Sequence, residues 1–113
     1  MFYSGIVVHG EKRGRALGYP TANVSLSDET LSGVYAGRVE FRGEKYIAAL
    51  FADRGRRILE AHLLDFNDDM YDQEIRIEVF KKIRDYIRFD SDQLLKSRIK
   101  KDIQLIREHF KEL

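Results

Sequence analysis

The chain has 113 residues, 43% of them hydrophobic, and this length and composition suit one folded domain and exclude a disordered polypeptide. Its 20 lysine and arginine residues nearly balance its 19 acidic residues, so the net charge of +1 gives no general attraction to nucleic acid. The sequence has no cysteine, which excludes disulfides and thiolate metal sites. Because it shows no apolar run long enough to span a bilayer and no signal-peptide pattern, we expect a cytoplasmic protein that does not bind membranes.

Apolar segments separated by glycine-rich or polar segments predict β-strands along most of the chain. We expect strands over residues 5–9, 21–26, 33–41, 45–51, 57–66 and 74–83. The pair Gly43-Glu44 predicts a two-residue turn with glycine first, which makes the third and fourth strands a hairpin. The apolar positions change phase at Gly37, and this change predicts a bulge there.

The fifth predicted strand carries the most informative alternation. Leu59, Ala61 and Leu63 fall on one face, so Glu60 and His62 fall on the other. A buried apolar face and a polar face predict a strand whose Glu60 and His62 side chains can reach a ligand site. The alternative is a pair of solvated side chains on a strand surface.

The last part of the chain predicts an α-helix. Asp90, with Gln93 three residues later, matches the pattern of a capping box at the helix start. An apolar stripe then recurs every three or four residues, and it comprises Leu95, Ile99, Ile103, Ile106, Phe110 and Leu113. The strands and this amphipathic helix predict a closed antiparallel barrel with the helix packed against it.

A basic, glycine-rich segment over residues 10–18 precedes the second predicted strand. Backbone N–H groups of such a loop can approach phosphates closely, and its lysine and arginine side chains add positive charge. Thr21 and Asn23, two residues apart on an extended segment, point in the same direction and could both reach one Mg²⁺ ion, which prefers oxygen ligands. The alternative is a basic surface loop without a ligand, followed by an edge strand.

Three sequence blocks follow one another in a distinctive order. They are Gly-Tyr-Pro-Thr-Ala-Asn at 18–23, Leu-Glu-Ala-His-Leu-Leu-Asp-Phe at 59–66, and Ile-Arg-Asp at 83–85 with Phe-Asp-Ser at 89–91. Their order and spacing resemble the riboflavin kinase family, in particular the kinase half of bacterial bifunctional riboflavin kinase/FAD synthetases. The resemblance covers about residues 5–110, and Gly-Val-Tyr at 33–35 adds to it.

The resemblance implies one domain over residues 1–113. In that family the fold is a six-stranded antiparallel Greek-key β-barrel, here about residues 1–89, followed by a C-terminal helix at about 91–112. It implies transfer of the γ-phosphate of ATP to riboflavin, giving FMN and ADP, with Mg²⁺ as cofactor. We therefore expect a monomer whose partners are riboflavin or FMN and ATP or ADP, and neither nucleic acid nor membrane.

The resemblance also assigns roles to individual residues. Glu60 matches the general base that takes the proton of the ribityl 5′-hydroxyl. The implied nucleotide-binding residues are Gly10, Lys12, Gly14, Arg15, Thr21 and Asn23, of which Thr21 and Asn23 also hold Mg²⁺. His62 is a further nucleotide-binding candidate, although a half-exposed strand histidine is the simpler interpretation. Arg84, Tyr86 and Phe89 are the implied flavin-binding residues, with core or lid packing as the equal alternative for the two aromatic rings.

The chain departs from the family pattern in two places. The segment over residues 48–59 is shorter than in many bacterial members and lacks their Asn-Ile-Gly-x-Arg-Pro-Thr-type motif, and Tyr86 replaces a usual acidic residue. Arg54, Arg56 and Arg57 form a small basic cluster in the shortened segment, which either compensates for the missing motif or is only solvated. These departures leave open a flavin- or nucleotide-binding module without catalysis. A nucleic-acid-binding barrel is a third possibility, which the near-neutral charge disfavours.

Overall fold

The computed structural model describes residues 1–8 and 16–111. In this part the chain forms β1 (Phe2–Ile6), β2 (Ala22–Ser25), β3 (Gly33–Phe41), β4 (Glu44–Asp53), β5 (Ile58–Leu63), β6 (Glu74–Arg84) and α1 (Asp92–Lys111). The strands make a single sheet in the order β1-β6-β3-β4-β5-β2, and every neighbouring pair is antiparallel. The predicted fold class, a mainly β protein with six antiparallel strands and a C-terminal helix, is confirmed.

The strand order is a Greek key that nearly closes into a barrel. β3, β4 and β5 are consecutive neighbours, and β6 returns over a longer connection to lie beside β3. β1 and β2 lie at the two edges of the sheet, where an unpaired strand would expose its backbone hydrogen-bonding groups. The edges meet just beyond β1, because the Val8 N–H donates to the Asn23 carbonyl oxygen at 2.8 Å.

The core lies inside the barrel and is formed by alternate side chains of all the strands. Its largest fully buried barrel members are Leu50, Leu59, Ile75, Ile77, Val24 and Val39. A second, smaller apolar cluster lies outside the barrel, where Ile106 of α1 packs against Ala36 and Leu64 together with the half-buried Ile47 and Ala49. The helix therefore covers the outer face of β3 and β4, and this position makes it one wall of the cleft described below.

The helix begins one residue later than the sequence pattern predicts. The Ser91 hydroxyl accepts a hydrogen bond from the Leu94 N–H at 3.2 Å, so Ser91 is the N-cap and Asp90 lies outside the helix. With Ser91 as the cap, the third helical position is Leu94, and the predicted capping box between Asp90 and Gln93 is wrong. Within the described residues, no helix is both long enough and apolar enough to cross a membrane.

Two local strand predictions are also wrong. The hairpin turn is Arg42-Gly43, with φ of 52° and 79°, because Phe41 pairs with Glu44 and places Glu44 in the strand. Positive φ at both central residues is the geometry whose twist matches a two-residue hairpin. The first strand runs over residues 2–6 and its outward side chains are exposed; the apolar segment after it contributes the buried Val7.

A bulge lies beside Gly37 as predicted, but its extra residue is on the neighbouring strand β6, while β3 keeps an unbroken register with β4. The pairing between β3 and β6 shifts between Ala36 and Gly37, since Ala36 pairs with Lys81 and Gly37 with Val79. The extra residue is therefore on β6, at Phe80, and Gly37 lies opposite it. A Cβ atom at Gly37 would come within 2.6 Å of the Glu78 carbonyl oxygen and would overlap the Leu50 side chain, so only glycine lets the strands approach this closely here.

Candidate active site at the β2–β5 edge

The pairing of β2 with β5 brings the predicted catalytic and metal-binding residues together. Asn23 lies directly opposite Glu60, so the two side chains emerge on the same face of the sheet. The Thr21 hydroxyl donates to Glu60 Oε1 at 3.2 Å. The neighbouring Ala22 and Ala61 face the barrel core and are buried. The predicted outward direction of Glu60 is therefore what the structure shows.

Two cavities meet at this edge of the barrel. The smaller has a volume of about 250 Å³ and is lined by Val7, Pro20, Thr21, Ala22, Asn23, Ala61, Leu63, Phe66, Asn67, Asp68, Asp69, Met70 and Tyr71. The larger, called here the larger cleft, has a volume of about 480 Å³, which is in the usual range for a small-molecule site. Thr21 lines both cavities, and Glu60 lines the larger cleft beside it.

The larger cleft has an apolar floor and walls from two later elements. Its floor is the outer face of β4 and β5, including Ala49, Phe51 and His62. One wall is the segment 86–89 between β6 and α1, and the other is the start of α1. Tyr86 is 63% exposed and its ring centroid lies 5.9 Å from that of Phe51, so the two rings face each other at the rim. This arrangement suits a flat, largely apolar ligand.

A chain of charged groups lies at the Glu60 end of the cleft. Arg56 Nη2 lies 3.2 Å from Glu60 Oε2, and Arg56 Nε donates to Asp53 Oδ2 at 2.7 Å. Burial of the Asp53 carboxylate raises its pKa. Hydrogen bonds from the Arg56 side chain and backbone together lower the pKa by more than burial raises it, so the net pKa of Asp53 is below its usual range. Asp53 is therefore ionised at neutral pH and fixes the guanidinium next to Glu60.

His62 is held by the segment that precedes β2. Its Nδ1 lies 2.7 Å from the Pro20 carbonyl oxygen, and the Tyr19 ring stands edge-on to the imidazole at a centroid distance of 5.5 Å. Desolvation by burial is the main cause that lowers the pKa of His62 below its usual value. The imidazole is therefore neutral at pH 7, and the contact with Pro20 places its proton on Nδ1.

Asn23 has an unusual environment for a polar side chain. It is only 3% exposed, and its Oδ1 atom has no hydrogen-bond partner among the groups that the structure describes. A buried carbonyl oxygen without a partner is unfavourable, so such atoms in native proteins call for a ligand, a water or an ion. Amide, hydroxyl and carboxylate oxygens are the ligand types of Mg²⁺, and Asn23, Thr21 and Glu60 supply one of each. The residues present therefore fit a magnesium ion.

The geometry of the site agrees with the comparison to known families. The family model for riboflavin kinase (flavokinase) matches residues 1–110. The chain belongs to the riboflavin kinase family. The resemblance of the three sequence blocks is thereby confirmed over almost the whole chain, and so is the prediction of a riboflavin kinase-type protein.

Comparisons with individual proteins support membership of the riboflavin kinase family. The chain is 39% identical to a bifunctional riboflavin kinase/FMN adenylyltransferase of Buchnera aphidicola over 95% of its length, and it spans only 38% of that relative. A riboflavin kinase structure from Trypanosoma brucei superposes with a TM-score of 0.72 at 29% identity, over 97% of this chain and 79% of the other. A Streptococcus pneumoniae structure named macrolide-efflux protein superposes with a TM-score of 0.82 at 36% identity, and the match covers 94% of this chain and 38% of the other.

The predicted site residues divide between the two cavities. The larger cleft contains Glu60, His62, Arg84, Tyr86 and Phe89 in its lining, with Thr21 at its edge. Asn23 lines the smaller cavity instead, on the other side of Thr21. The remaining predicted nucleotide contacts lie outside the described residues, and they are Gly10, Lys12, Gly14 and Arg15.

Arg84 lines the cleft, and its guanidinium is paired with a carboxylate of α1. Its Nη2 atom lies 2.8 Å from Asp102 Oδ2, and the two side chains are only 8% and 4% exposed. Asp102 also accepts from Arg98 at 3.3 Å, and the guanidinium of Arg84 lies 5.6 Å from the centre of the Phe89 ring. Arg84 therefore ties the end of β6 to α1 behind the wall formed by residues 86–89.

Sequence reasoning missed Asp102 and Asp53, and it left the function of Arg56 open. Asp102 lies on the predicted apolar stripe of the helix, three residues after Ile99 and four before Ile106, and a carboxylate in that position is a signal of a buried ion pair. Asp53 and Arg56 had no comparable signal, because their contact with Glu60 depends on the turn between β4 and β5.

Proposed function

We propose that this chain transfers the γ-phosphoryl group of ATP to the 5′-hydroxyl of the ribityl chain of riboflavin, giving FMN and ADP. One observation carries the proposal: Glu60 lies in a cleft of flavin size, hydrogen-bonded to Thr21 at the point where a second cavity begins. A donor nucleotide in the smaller cavity and an acceptor alcohol in the larger cleft would meet at that point. Positioning of donor and acceptor is the main requirement of phosphoryl transfer.

Glu60 acts as the general base in this proposal. The hydroxyl proton passes to a Glu60 carboxylate oxygen while the hydroxyl oxygen forms a bond to the γ-phosphorus. The bond between that phosphorus and the β,γ-bridging oxygen breaks, and ADP leaves with the electron pair. Thr21, through its hydrogen bond to Oε1, orients the carboxylate for this step.

Thr21 and Asn23 are the proposed magnesium ligands. When bound, Mg²⁺ neutralises negative charge on the β- and γ-phosphates. The support from this chain is the buried Asn23 Oδ1 atom, which has no hydrogen-bond partner among the described residues, and the hydroxyl of Thr21 on the same face. Both residues line the smaller cavity, which we propose as the nucleotide side. The four loop residues predicted to contact phosphates remain candidates for that side.

The flavin side of the proposal is the larger cleft. Tyr86 and Phe51 form an aromatic rim on which an isoalloxazine ring can stack, and Phe89 lines the wall behind them. We assign Arg84 a positioning function, because its guanidinium is used in the buried ion pair with Asp102. His62, neutral and in the same cleft as Glu60, belongs to the flavin side in this assignment.

A flavin-binding protein without catalysis is the second candidate, and one contact favours it. The ion pair with Arg56 at 3.2 Å engages Glu60 Oε2 and so competes with an acceptor hydroxyl for that oxygen. A binding protein of this kind would hold flavin in the same cleft and would show no turnover.

The substitution Glu60→Gln tests the function. Loss of a general base lowers kcat about 10²–10⁴-fold, whereas the cleft keeps its shape, so riboflavin and ADP affinities should change little. The measurement is FMN formation from riboflavin and Mg²⁺–ATP, together with titrations of both ligands. Glu74→Gln is the matched control, since Glu74 is an exposed strand carboxylate that lines neither cavity. Near-native turnover in Glu60→Gln would remove Glu60 from the mechanism, and an inactive native chain that binds flavin would favour the second candidate.

A further inference from the structure

The turn between β4 and β5, where the chain departs from the family pattern, contains three arginines with different surroundings. Arg56 lines the larger cleft beside Glu60. Arg54 and Arg57 do not line it, and the Arg57 side chain is 79% exposed and 4.0 Å from the equally exposed Glu29. The basic cluster seen in the sequence therefore directs one of its three guanidinium groups into the cleft.

Arg56 is fixed in place before any ligand binds. Its backbone N–H donates to Asp53 Oδ1 at 3.1 Å, and its Nε donates to Asp53 Oδ2 at 2.7 Å. Both oxygens of one carboxylate thus hold the same residue, at the backbone and at the side chain. A guanidinium held in this way loses little further side-chain entropy when it binds an anion.

The guanidinium lies within reach of the reacting atoms. Arg56 Nη2 is 3.2 Å from Glu60 Oε2. A hydroxyl group hydrogen-bonded to Oε2 would lie about 2.7 Å from that oxygen and therefore no more than about 6 Å from Nη2. Once a phosphoryl group is attached to this hydroxyl, its outer oxygens extend further and come within contact of the guanidinium.

The Glu60 end of the cleft is negatively charged, and a phosphorylated product bound there needs a neighbouring cation. Asp53 and Glu60 are both carboxylates, and a phosphate monoester beside them would carry further negative charge. Of the other described arginines in the lining, Arg84 is held by Asp102, and Arg88 belongs to the segment on the far wall. Among residues 1–8 and 16–111, Arg56 supplies a cation next to Glu60, and its planar fork matches two phosphate oxygens.

We propose that Arg56 binds the phosphoryl group during its transfer and the phosphate of FMN afterwards, an inference that rests on the function proposed above. Arg56 Nη2 contacts Glu60 while the cleft holds riboflavin. As negative charge develops beside it, the guanidinium keeps its hydrogen bond to Asp53 and exchanges the Glu60 contact for phosphate oxygens. The residue thereby favours the transition state and the product over the substrate.

Binding of the two flavins to Arg56→Ala tests this inference apart from turnover. Riboflavin and FMN differ only by the phosphate, so a phosphate contact affects FMN alone. We expect the FMN affinity to fall about 10–100-fold, as for loss of a hydrogen bond to a charged group, with the riboflavin affinity unchanged within about twofold. Arg56→Lys keeps the positive charge but not the planar guanidinium, so it should lose less FMN affinity than Arg56→Ala. The control Arg57→Ala should leave both affinities unchanged. Flavin fluorescence quenching gives all the dissociation constants.

The outcomes separate this inference from the function on which it rests. If Arg56→Ala weakened the binding of riboflavin and FMN equally, or changed neither affinity, the phosphate contact would be overturned even if the native chain is an active kinase. A native chain that makes no FMN would overturn the proposed function, yet a selective loss of FMN binding in Arg56→Ala would still support Arg56 as a phosphate contact. A native chain that binds neither flavin would overturn both.

Discussion

Asn23 is the single residue whose environment most directly calls for a ligand. Its side chain is 3% exposed and lies on the strand face opposite Glu60, and its Oδ1 atom has no hydrogen-bond partner within residues 1–8 and 16–111. The fold therefore retains a buried polar atom at a stability disadvantage. Retention of such an atom beside a hydroxyl and a carboxylate is consistent with binding of a cation together with nucleotide phosphates.

The residue-scale prediction is that Asn23→Ala weakens magnesium-dependent nucleotide binding. Loss of even an outer partner of a metal typically lowers metal affinity about 10–100-fold, so we expect ADP affinity with Mg²⁺ to fall at least about tenfold. Affinity for ADP in the presence of a chelator should change much less. Calorimetric titrations under both conditions measure the difference. Ser25→Ala, an exposed change on the same strand, is the control. Equal losses with and without Mg²⁺ would show that Asn23 only shapes the strand.

At the scale of elements, the clamp between β6 and α1 determines the shape of the flavin side. Arg84 and Arg98 both donate to Asp102, and the Arg84–Asp102 pair is almost fully buried. The segment 85–91 leaves β6 just after Arg84 and runs into α1, so the ion pair joins the two elements that the segment connects. Gly33 helps at the same place, since a Cβ there would overlap the Arg84 carbonyl oxygen.

We therefore expect Asp102→Ala to destabilise the fold strongly. Removal of one partner leaves a buried arginine charge without compensation, which typically costs about 3–5 kcal/mol in the free energy of unfolding. Urea unfolding of the native chain and the variant measures this loss. The control is Asp65→Asn, which breaks the ion pair between the exposed Asp65 and Arg107 and should have a much smaller effect. A loss for Asp102→Ala no larger than that of the control would contradict a clamp function.

At the scale of the whole molecule, one barrel edge brings two cavities into contact. The Greek key places β2 against β5 although they are separated in sequence by the hairpin of β3 and β4. The same pairing lets one face of β5 contribute Leu59, Ala61 and Leu63 to the core while the other face supplies Glu60 and His62 to the cleft. The site therefore depends on correct closure of the barrel as well as on its own residues.

Gly37 lies where β3 and β6 approach each other closely, and Gly37→Ala should destabilise the closed barrel. The added Cβ would meet the Glu78 carbonyl oxygen on one neighbouring strand and the Leu50 side chain on the other, and the backbone atom cannot move by a rotamer change. Overpacking of this kind typically costs about 1–3 kcal/mol, measurable by thermal or urea unfolding. Gly55→Ala is the matched control, because its Cβ would make only an ordinary 3.6 Å contact with Asp53 Oδ1. Equal stabilities of the two variants would contradict the close approach at Gly37.

Local patterns in the sequence determined much of the fold and part of the site. The alternation of Leu59, Ala61 and Leu63 was enough to direct Glu60 outward, because side chains of a strand alternate between its faces. The apolar stripe after Ser91 determined the helix. The change of phase at Gly37 reflects burial of both faces of β3, with Tyr35 and Val39 in the barrel core and Ala36 against the helix. Errors of one residue, as at the helix cap and the hairpin turn, arose where adjacent residues had similar propensities for the same position.

Only the tertiary structure decided which charged groups meet. Arg84 reads from sequence as a flavin contact, and its pairing with the buried Asp102 appears only in the structure. Arg56 reads as one of a basic cluster that either compensates for a missing motif or is solvated, and the structure places it 3.2 Å from Glu60. The meeting of Thr21 and Glu60 likewise follows from the pairing of β2 with β5. The physical reason is that local propensity and periodicity act over a few residues, whereas the partner of a charge depends on the packing of segments that are distant in the chain.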